Sequence, residues 1–190
     1  MVMEWGFREF AISSNAVSTP RSFKMKKTLR ITEQLLKAIH KDLSRRNPFA
    51  LERVGFISCK HAALPDGMIF LAEKYLPIAD DDYLESRSAG AMMGPNAIRK
   101  ALQFAYNEPV SMFHVHRHEH SGKPRFSPLD IKESAKFVPD FWKVRPEFDH
   151  GAIVLSHDSA YGLAWDRELG KPQELSEIDV IGRPLWKFWS

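Results

Sequence analysis

The sequence predicts a single α/β (α+β) domain in which a mixed β-sheet is flanked by about three helices. The chain has 190 residues, a length typical of one domain. Its hydrophobic content of 44% is sufficient to form a core without disulfides or other cross-links. Segments with helical periodicity are interleaved with extended apolar segments, and no internal repeat is present, which favours a mixed α and β architecture.

Charge and cysteine content exclude several classes of protein. The 27 basic and 24 acidic residues give a net charge of +3, and the basic residues are scattered, so the sequence gives no support to nucleic-acid binding. The longest uncharged apolar runs fall short of the roughly 20 residues that span a bilayer, so no membrane partner is expected. Cys59 is the only cysteine, and no signal segment is recognisable at the start of the chain. We therefore expect a cytoplasmic protein.

The first half of the chain predicts an N-terminal arm, a helix and a hairpin. Residues 1–23 show no sustained periodicity and are interpreted as an arm, which leaves 24–190 for the folded domain. Apolar positions recur every three or four residues between Ile31 and Leu43, and Thr32 is a suitable helix cap. Two extended segments, 51–59 and 68–75, are separated by a turn that contains Pro65 and Gly67 and predicts a hairpin. The three aspartates at 80–82 lack the ligand spacing of a calcium loop and are expected in a solvated loop.

The second half predicts two more helices and several strands. One helix begins at Pro95, and another begins at Ser127 and Pro128, a good cap followed by a good first residue. Strands are expected at 110–116 and at 152–155, the latter paired with 161–165, and the tail 178–189 is expected to form a further strand or packed extension. His150 and His157 flank the apolar strand and are expected to be polar edge residues. Cys59 is expected to be a small buried apolar residue.

Half of the eight histidines occur at alternate positions between 114 and 120. In a strand, residues two apart point to the same face and are about 6.5–7 Å apart, so two imidazoles can converge on one metal ion. Asp130, in the first turn of the helix that Ser127 caps, is a candidate third ligand, and the Ser127 hydroxyl could stabilise an oxyanion. Glu52, beside an apolar strand, is a candidate general base for a metal-activated water.

Three short motifs occur in this order: Glu52-x-x-Gly55, His114-x-His116 and Ser127-x-x-Asp130. Together they resemble the signature of JAB/MPN metalloproteases (the JAMM motif), and the likeness extends over roughly 25–165. Bacterial JAB proteins are the most similar group. The resemblance implies a JAB/MPN-like domain over 24–190 with one zinc ion per chain. It also implies His114, His116 and Asp130 as zinc ligands, Glu52 as acid and base, and Ser127 as the oxyanion stabiliser.

The spacing between the histidines and Ser127 departs from the family pattern. Seven residues usually separate the second histidine from the serine, whereas ten separate His116 from Ser127. The pair His116 and His118 would leave eight, and His118 with His120 would leave six, so these alternatives stay open. We predict His114 and His116 because Phe113 precedes the first histidine, as in the family pattern. His118 and His120 are then expected in the loop or beside the ligands.

The resemblance also implies a function. JAB proteins of this kind cleave after the C-terminus of ubiquitin or a ubiquitin-like protein, for deconjugation or precursor processing. In bacteria they accompany activating and conjugating enzymes of the same pathway, in some cases in antiphage defence. A strand-addition groove for the modifier tail is expected along 68–82. Two alternatives are a peptidase that processes sulfur-carrier proteins and a non-catalytic scaffold, although the intact Glu52, His114, His116 and Asp130 argue against the scaffold.

Overall fold

The computed structural model describes residues 25–85, 90–167 and 170–182 of the chain. Within these residues the α-helices are α1 (Glu33–Leu43), α2 (Pro95–Asn107) and α3 (Pro128–Phe137). Short 3-10 turns are formed by Asp80–Asp82 and Val138–Lys143. The strands are β1 (Lys26–Thr32), β2 (Val54–Leu64), β3 (Gly67–Pro77), β4 (Tyr83–Leu84), β5 (Met92–Met93), β6 (Ser111–Arg117), β7 (His150–Leu155), β8 (Ala160–Asp166), β9 (Lys171–Glu174) and β10 (Glu177–Ile181).

Eight of these strands form one mixed sheet in the order β10–β1–β3–β2–β6–β7–β8–β9. β1 runs parallel to β3 and β10, β6 runs parallel to β7, and the other neighbours are antiparallel. The sheet curls, so that strands far apart in this order come together. The Ser176 N–H, just after β9, donates to the Lys27 carbonyl of β1 at 2.8 Å. The Lys27 ammonium of β1 lies 2.7 Å from the Asp149 carboxylate just before β7.

The two faces of the sheet are covered by different helices. Ile39 and Leu43 of α1 pack into a core cluster with Leu29, Ile57, Phe70, Phe113, Val115 and Ile153. Ala97 and Ala101 of α2 and Phe137 of α3 pack into the other cluster with Val54, Phe56, Met112, Phe141 and Trp165. Because side chains alternate along a strand, Phe113 and Val115 of β6 face α1. The even-numbered His114 and His116 consequently face α3.

The local signals in the sequence coincide with the observed element boundaries. The Thr32 hydroxyl accepts a hydrogen bond from the Leu35 N–H at 3.2 Å and caps α1, and Pro95 is the first residue of α2. Ser127 caps α3, and β2 and β3 form the predicted hairpin, with Leu64 opposite Gly67. These features confirm the helix starts, the hairpin and the mixed sheet with three helices. The finer assignment to a JAB/MPN topology stays a prediction.

Three expectations differ from the structure. The groove expected along 68–82 is wrong for residues 68–71, because this part of β3 is hydrogen-bonded to β1 on one side and to β2 on the other; for 72–82 the groove stays a prediction. His150 is not an edge residue but is fully buried. The acidic segment is only partly solvated, since Asp82 is buried and lies 2.5 Å from the Lys100 ammonium.

Cys59 is fully buried, as predicted, and burial raises the pKa of its thiol. The side chain of His157 is about half exposed, as expected of an edge residue.

The predicted arm 1–23 and the part of the tail after Gly182 lie outside the described residues. In the part of the chain that the structure describes, no helix has the length and apolar character needed to cross a membrane.

Candidate metal centre

Three side chains from β6, the loop after it and α3 converge on one point. The His116 Nε2 atom lies 3.3 Å from His118 Nε2 and 3.6 Å from Asp130 Oδ2. All three ligand atoms lie within 4.8 Å of one another. Among the described residues, this is the group of three histidine, cysteine or carboxylate ligands that could hold one metal ion. Two ligands bound tetrahedrally at 2.0–2.1 Å from one zinc ion would be about 3.3 Å apart. The observed spacing therefore matches what a single metal ion of this kind requires.

Strand pairing and a helix cap position these groups. In the antiparallel register of β2 and β6, Val54 lies opposite His116, and Glu52 stands in the bend two residues before Val54. The His118 N–H donates to the Leu155 carbonyl at 2.8 Å, which keeps the chain extended beyond β6. Asp130 is held by a reciprocal cap: the Ser127 N–H donates to Asp130 Oδ2 at 2.7 Å, and the Asp130 N–H donates to Ser127 Oγ at 3.1 Å.

His114 is the predicted ligand that does not belong to this group. Its ring centroid is 5.8 Å from that of His116, whereas the rings of His116 and His118 are 5.0 Å apart. No ring nitrogen of His114 belongs to the group of ligand atoms that lie within 4.8 Å of one another among the described residues. The His114 ring instead packs edge-on against Phe56 and Phe137. The converging ligand atoms thus correspond to the His116 and His118 register, in which eight residues precede Ser127, while His114 lines the cavity beside them. The loop length is the sequence signal for this register.

A cavity of about 300 Å³ adjoins two of the three ligands, His116 and Asp130, and Glu52 forms part of its wall; His118 is not one of its lining residues. His114, His116 and Asp130 also line this cavity, together with residues of α3 and of the segment 90–93. The Glu52 N–H donates to the Gly90 carbonyl at 2.7 Å. Gly90 is so close that a Cβ atom at this position would be 2.6 Å from Glu52 Oε2. Ser127 is not a lining residue, and its connection to the site runs through Asp130.

Burial and neighbouring charges set the protonation of these groups. Burial, and then the neighbouring His116, lower the pKa of His114 to about 3, so this imidazole is neutral at physiological pH. Burial and His116 also lower the pKa of His118, while the charge of Glu52 opposes that change. Burial alone would raise the pKa of Asp130, but the contacts with His116 and Ser127 outweigh it and hold this pKa below its usual range. A neutral imidazole and an ionised carboxylate are the forms that bind a metal.

Unpartnered nitrogens provide a further indication that the site takes a ligand. Both ring nitrogens of His114 and the Nδ1 atom of His116 are buried and have no hydrogen-bond partner in the protein. Buried polar groups are nearly always paired with protein, with water or with a ligand. Together with the two-imidazole and carboxylate donor set, this means that the residues present fit a divalent d-block metal such as zinc.

Sequence reasoning missed the buried group that supports Glu52. The next residue, Arg53, is 2% exposed; its guanidinium donates to the Arg45 carbonyl at 3.1 Å and forms an ion pair with Asp80. The Tyr83 hydroxyl donates to the Val54 carbonyl at 3.1 Å and accepts from the Val54 N–H at 2.9 Å. These contacts connect the end of α1 and the loop after β3 to the start of β2. They depend on residues up to about 30 positions apart, so no local pattern indicates them.

A larger cavity, of about 390 Å³, lies on the opposite face of the sheet beneath α1. Its walls are mainly aliphatic, with residues such as Leu29, Ile57 and Ile153. It also contains His40 and His157, but neither belongs to the three-ligand group. The ligand-rich cavity beside α3 is therefore the better candidate for chemistry despite its smaller volume.

Comparison with known proteins adds no family assignment. No protein-family model matches the chain, and a search of curated proteins returned no match. The interpretation of the site consequently depends on its geometry and on the motif resemblance.

Proposed function

We propose that this protein is a zinc-dependent peptidase or isopeptidase that cleaves after the C-terminus of a ubiquitin-like protein. The observation that carries the proposal is the convergence of His116, His118 and Asp130 at separations of 3.3 and 3.6 Å, beside a cavity that His116, Asp130 and Glu52 line. A bound zinc ion at such a site lowers the pKa of water and polarises a carbonyl. In this proposal His118 takes the place of His114 as a zinc ligand.

Glu52 is the general base in this proposal. Its carboxylate lies at the cavity wall, and its charge acts on the neighbouring His118. In the proposed reaction, Glu52 Oε accepts a proton from the attacking water and delivers it to the nitrogen of the departing amine. One carboxylate can perform both transfers in turn because it is regenerated at the end of the cycle.

Ser127 and His114 have supporting roles in this proposal. The Ser127 hydroxyl accepts the Asp130 N–H and the Ser127 N–H donates to Asp130 Oδ2, so in this proposal Ser127 orients the ligand carboxylate; its role as oxyanion stabiliser stays a prediction. His114 is buried, neutral and without a protein partner, which suits it to donate a hydrogen bond to a water or substrate group in the cavity.

The cavity supports an extended chain end as the substrate. Its wall at 90–93 includes Ala91, Met92 and Met93, and on the other side Leu129 of α3 is about half exposed. Small residues such as the glycines at the end of ubiquitin-like modifiers would leave the scissile carbonyl accessible between these walls. The partners in this proposal are a ubiquitin-like protein or its conjugates, with the activating and conjugating enzymes of the same bacterial pathway, which includes antiphage defence in some systems.

Metal content and cleavage test the proposal together. The probes are ubiquitin joined through its C-terminal glycine to aminocoumarin and a short peptide that ends in Gly-Gly-aminocoumarin. We expect about one zinc per chain and chelator-sensitive release of aminocoumarin. Glu52→Gln should retain zinc while turnover falls by about 10²-fold or more, because it removes a proton-transfer group but no ligand.

Histidine variants distinguish the two ligand registers. His118→Ala should lower zinc affinity by more than about 100-fold, because losing a direct ligand costs more than losing a residue just outside the ligand shell. His114→Gln should retain zinc. His157→Ala is the matched control: it removes a nearby exposed imidazole that is not a proposed ligand, and it should also retain zinc. Zinc loss in His114→Gln with retention in His118→Ala would restore the His114 and His116 pair.

Two outcomes would favour the alternatives. Zinc binding without cleavage of any C-terminal glycine substrate would support a non-catalytic scaffold. Cleavage restricted to a sulfur-carrier protein fused at its C-terminus would support the processing peptidase.

A further inference from the structure

The four histidines of the sequence motif form a continuous row from the protein interior to its surface. Ring centroids of successive members are 5.8 Å apart for His114 and His116, 5.0 Å for His116 and His118, and 5.8 Å for His118 and His120. His114 and His116 are buried, His118 is half-buried and His120 is exposed. The proposed ligands occupy the middle of this row, and His120 is not among them.

Backbone pairing beyond the end of β6 aligns the row. The His118 N–H donates to the Leu155 carbonyl, and the His157 N–H donates to the His120 carbonyl at 2.9 Å. These two bonds attach the bend that follows β6 to the end of β7 and the loop after it. The intervening Arg117 and Glu119 form an ion pair with each other, and Glu119 also lies 3.1 Å from His157.

His120 presents a free nitrogen lone pair. Its Nδ1 atom lies 3.0 Å from the Ser121 carbonyl oxygen, which can only accept a hydrogen bond, so Nδ1 carries the proton. The neutral ring therefore has its lone pair on Nε2, which is the atom able to bind a metal.

The distance between His118 and His120 permits both to bind one ion at the same time. In a zinc–imidazole complex the metal lies about 3.2 Å from the ring centroid, so two rings can share an ion when their centroids are less than about 6.4 Å apart. The observed 5.8 Å is within this limit. A metal ion could therefore pass from His120 to His118 without a change in the backbone.

We propose that His120 is an entry ligand, which captures a hydrated divalent d-block cation at the surface and transfers it to His118 and then to the buried centre. This inference rests on the proposed metal centre. His120 would replace one water of the hydrated cation before its other waters leave. The cation would then lose its hydration shell in several smaller steps. Because His120 is absent from the final ligand set, it accelerates uptake and release equally and leaves the equilibrium affinity unchanged.

The test measures zinc exchange on the full-length protein after chelator treatment. Zn²⁺ uptake is followed by stopped flow, and release is followed with a chromophoric chelator in excess. His120→Ala should slow uptake and release by the same factor of about ten, which corresponds to a barrier higher by about 1.4 kcal/mol. Zinc per chain and equilibrium affinity should match the wild type. His157→Ala, which removes a half-exposed imidazole from the neighbouring loop, should exchange zinc at wild-type rates.

Equal exchange rates in His120→Ala and wild type would overturn the inference, as would a weaker equilibrium affinity, which would make His120 a permanent ligand. Absence of zinc binding by the wild type would overturn the metal centre and this inference together. Slower exchange in a protein that binds zinc but cleaves nothing would support the entry ligand while refuting the peptidase.

Discussion

Acid should destabilise this fold through His150, the first residue of β7. The imidazole is fully buried and is used as a neutral group: the Met112 N–H donates to Nδ1 at 3.0 Å, and Nε2–H donates to the Arg145 carbonyl at 3.1 Å. A proton on Nδ1 would abolish the first of these bonds. Burial lowers the pKa of His150 to about 4, against about 6.5 in an unfolded chain.

The sign and size of the effect follow from these two pKa values. Between pH 6.5 and pH 4 the unfolded state binds more protons than the folded state, so stability is fully present above about pH 6.5 and is lost as the pH falls. Over the whole interval the loss amounts to about 3 kcal/mol, of which about 2 kcal/mol falls between pH 7 and pH 5.

The assay is urea unfolding at pH 7 and pH 5, with chelator present so that no metal contributes. His150→Gln has an amide that can accept from Met112 and donate to Arg145 but cannot titrate, so its stability should fall by about 2 kcal/mol less than that of the wild type. The buried His114 is present in both proteins, so its own contribution cancels. His157→Gln, at an exposed position, should keep the wild-type pH dependence. Parallel pH dependences in wild type and His150→Gln would refute the reasoning.

Two further predictions concern the close approach of Gly90 to Glu52 and the buried cation of β1. Gly90→Ala places a methyl group where it would meet Glu52 Oε2 at 2.6 Å, so turnover should fall while zinc stays bound; Glu52→Asp in the same chain should recover part of the loss. Gly182→Ala, in open space, is the control, and equal turnover in both glycine variants would contradict the prediction. Lys27→Met leaves the Asp149 carboxylate without its partner at 2.7 Å and should lower the free energy of unfolding by about 3 kcal/mol. Adding Asp149→Asn should restore part of that loss, measured by urea unfolding, because it removes the unpaired charge. A double variant no more stable than Lys27→Met would contradict this explanation of the loss.

Several features of the fold could be predicted because their causes are local. Thr32, Pro95 and Ser127 each mark a helix start, since a cap or a first-turn proline acts on residues within one helical turn. The Pro65–Gly67 segment predicted the hairpin for the same reason. The motif also drew attention to His116, Asp130 and Glu52 before any contact between them was known.

The sequence by itself therefore determined the class of the fold, the starts of its helices and the residue types available for metal chemistry. Tertiary structure decided which imidazoles meet, because ring spacing depends on the pairing of β6 with β2 and on where α3 places Asp130. It also decided that His150 is buried and that the first half of β3 is paired on both sides, since both depend on neighbours distant in the sequence. Caps and turns depend on the nearest residues, whereas burial and strand pairing depend on the whole sheet.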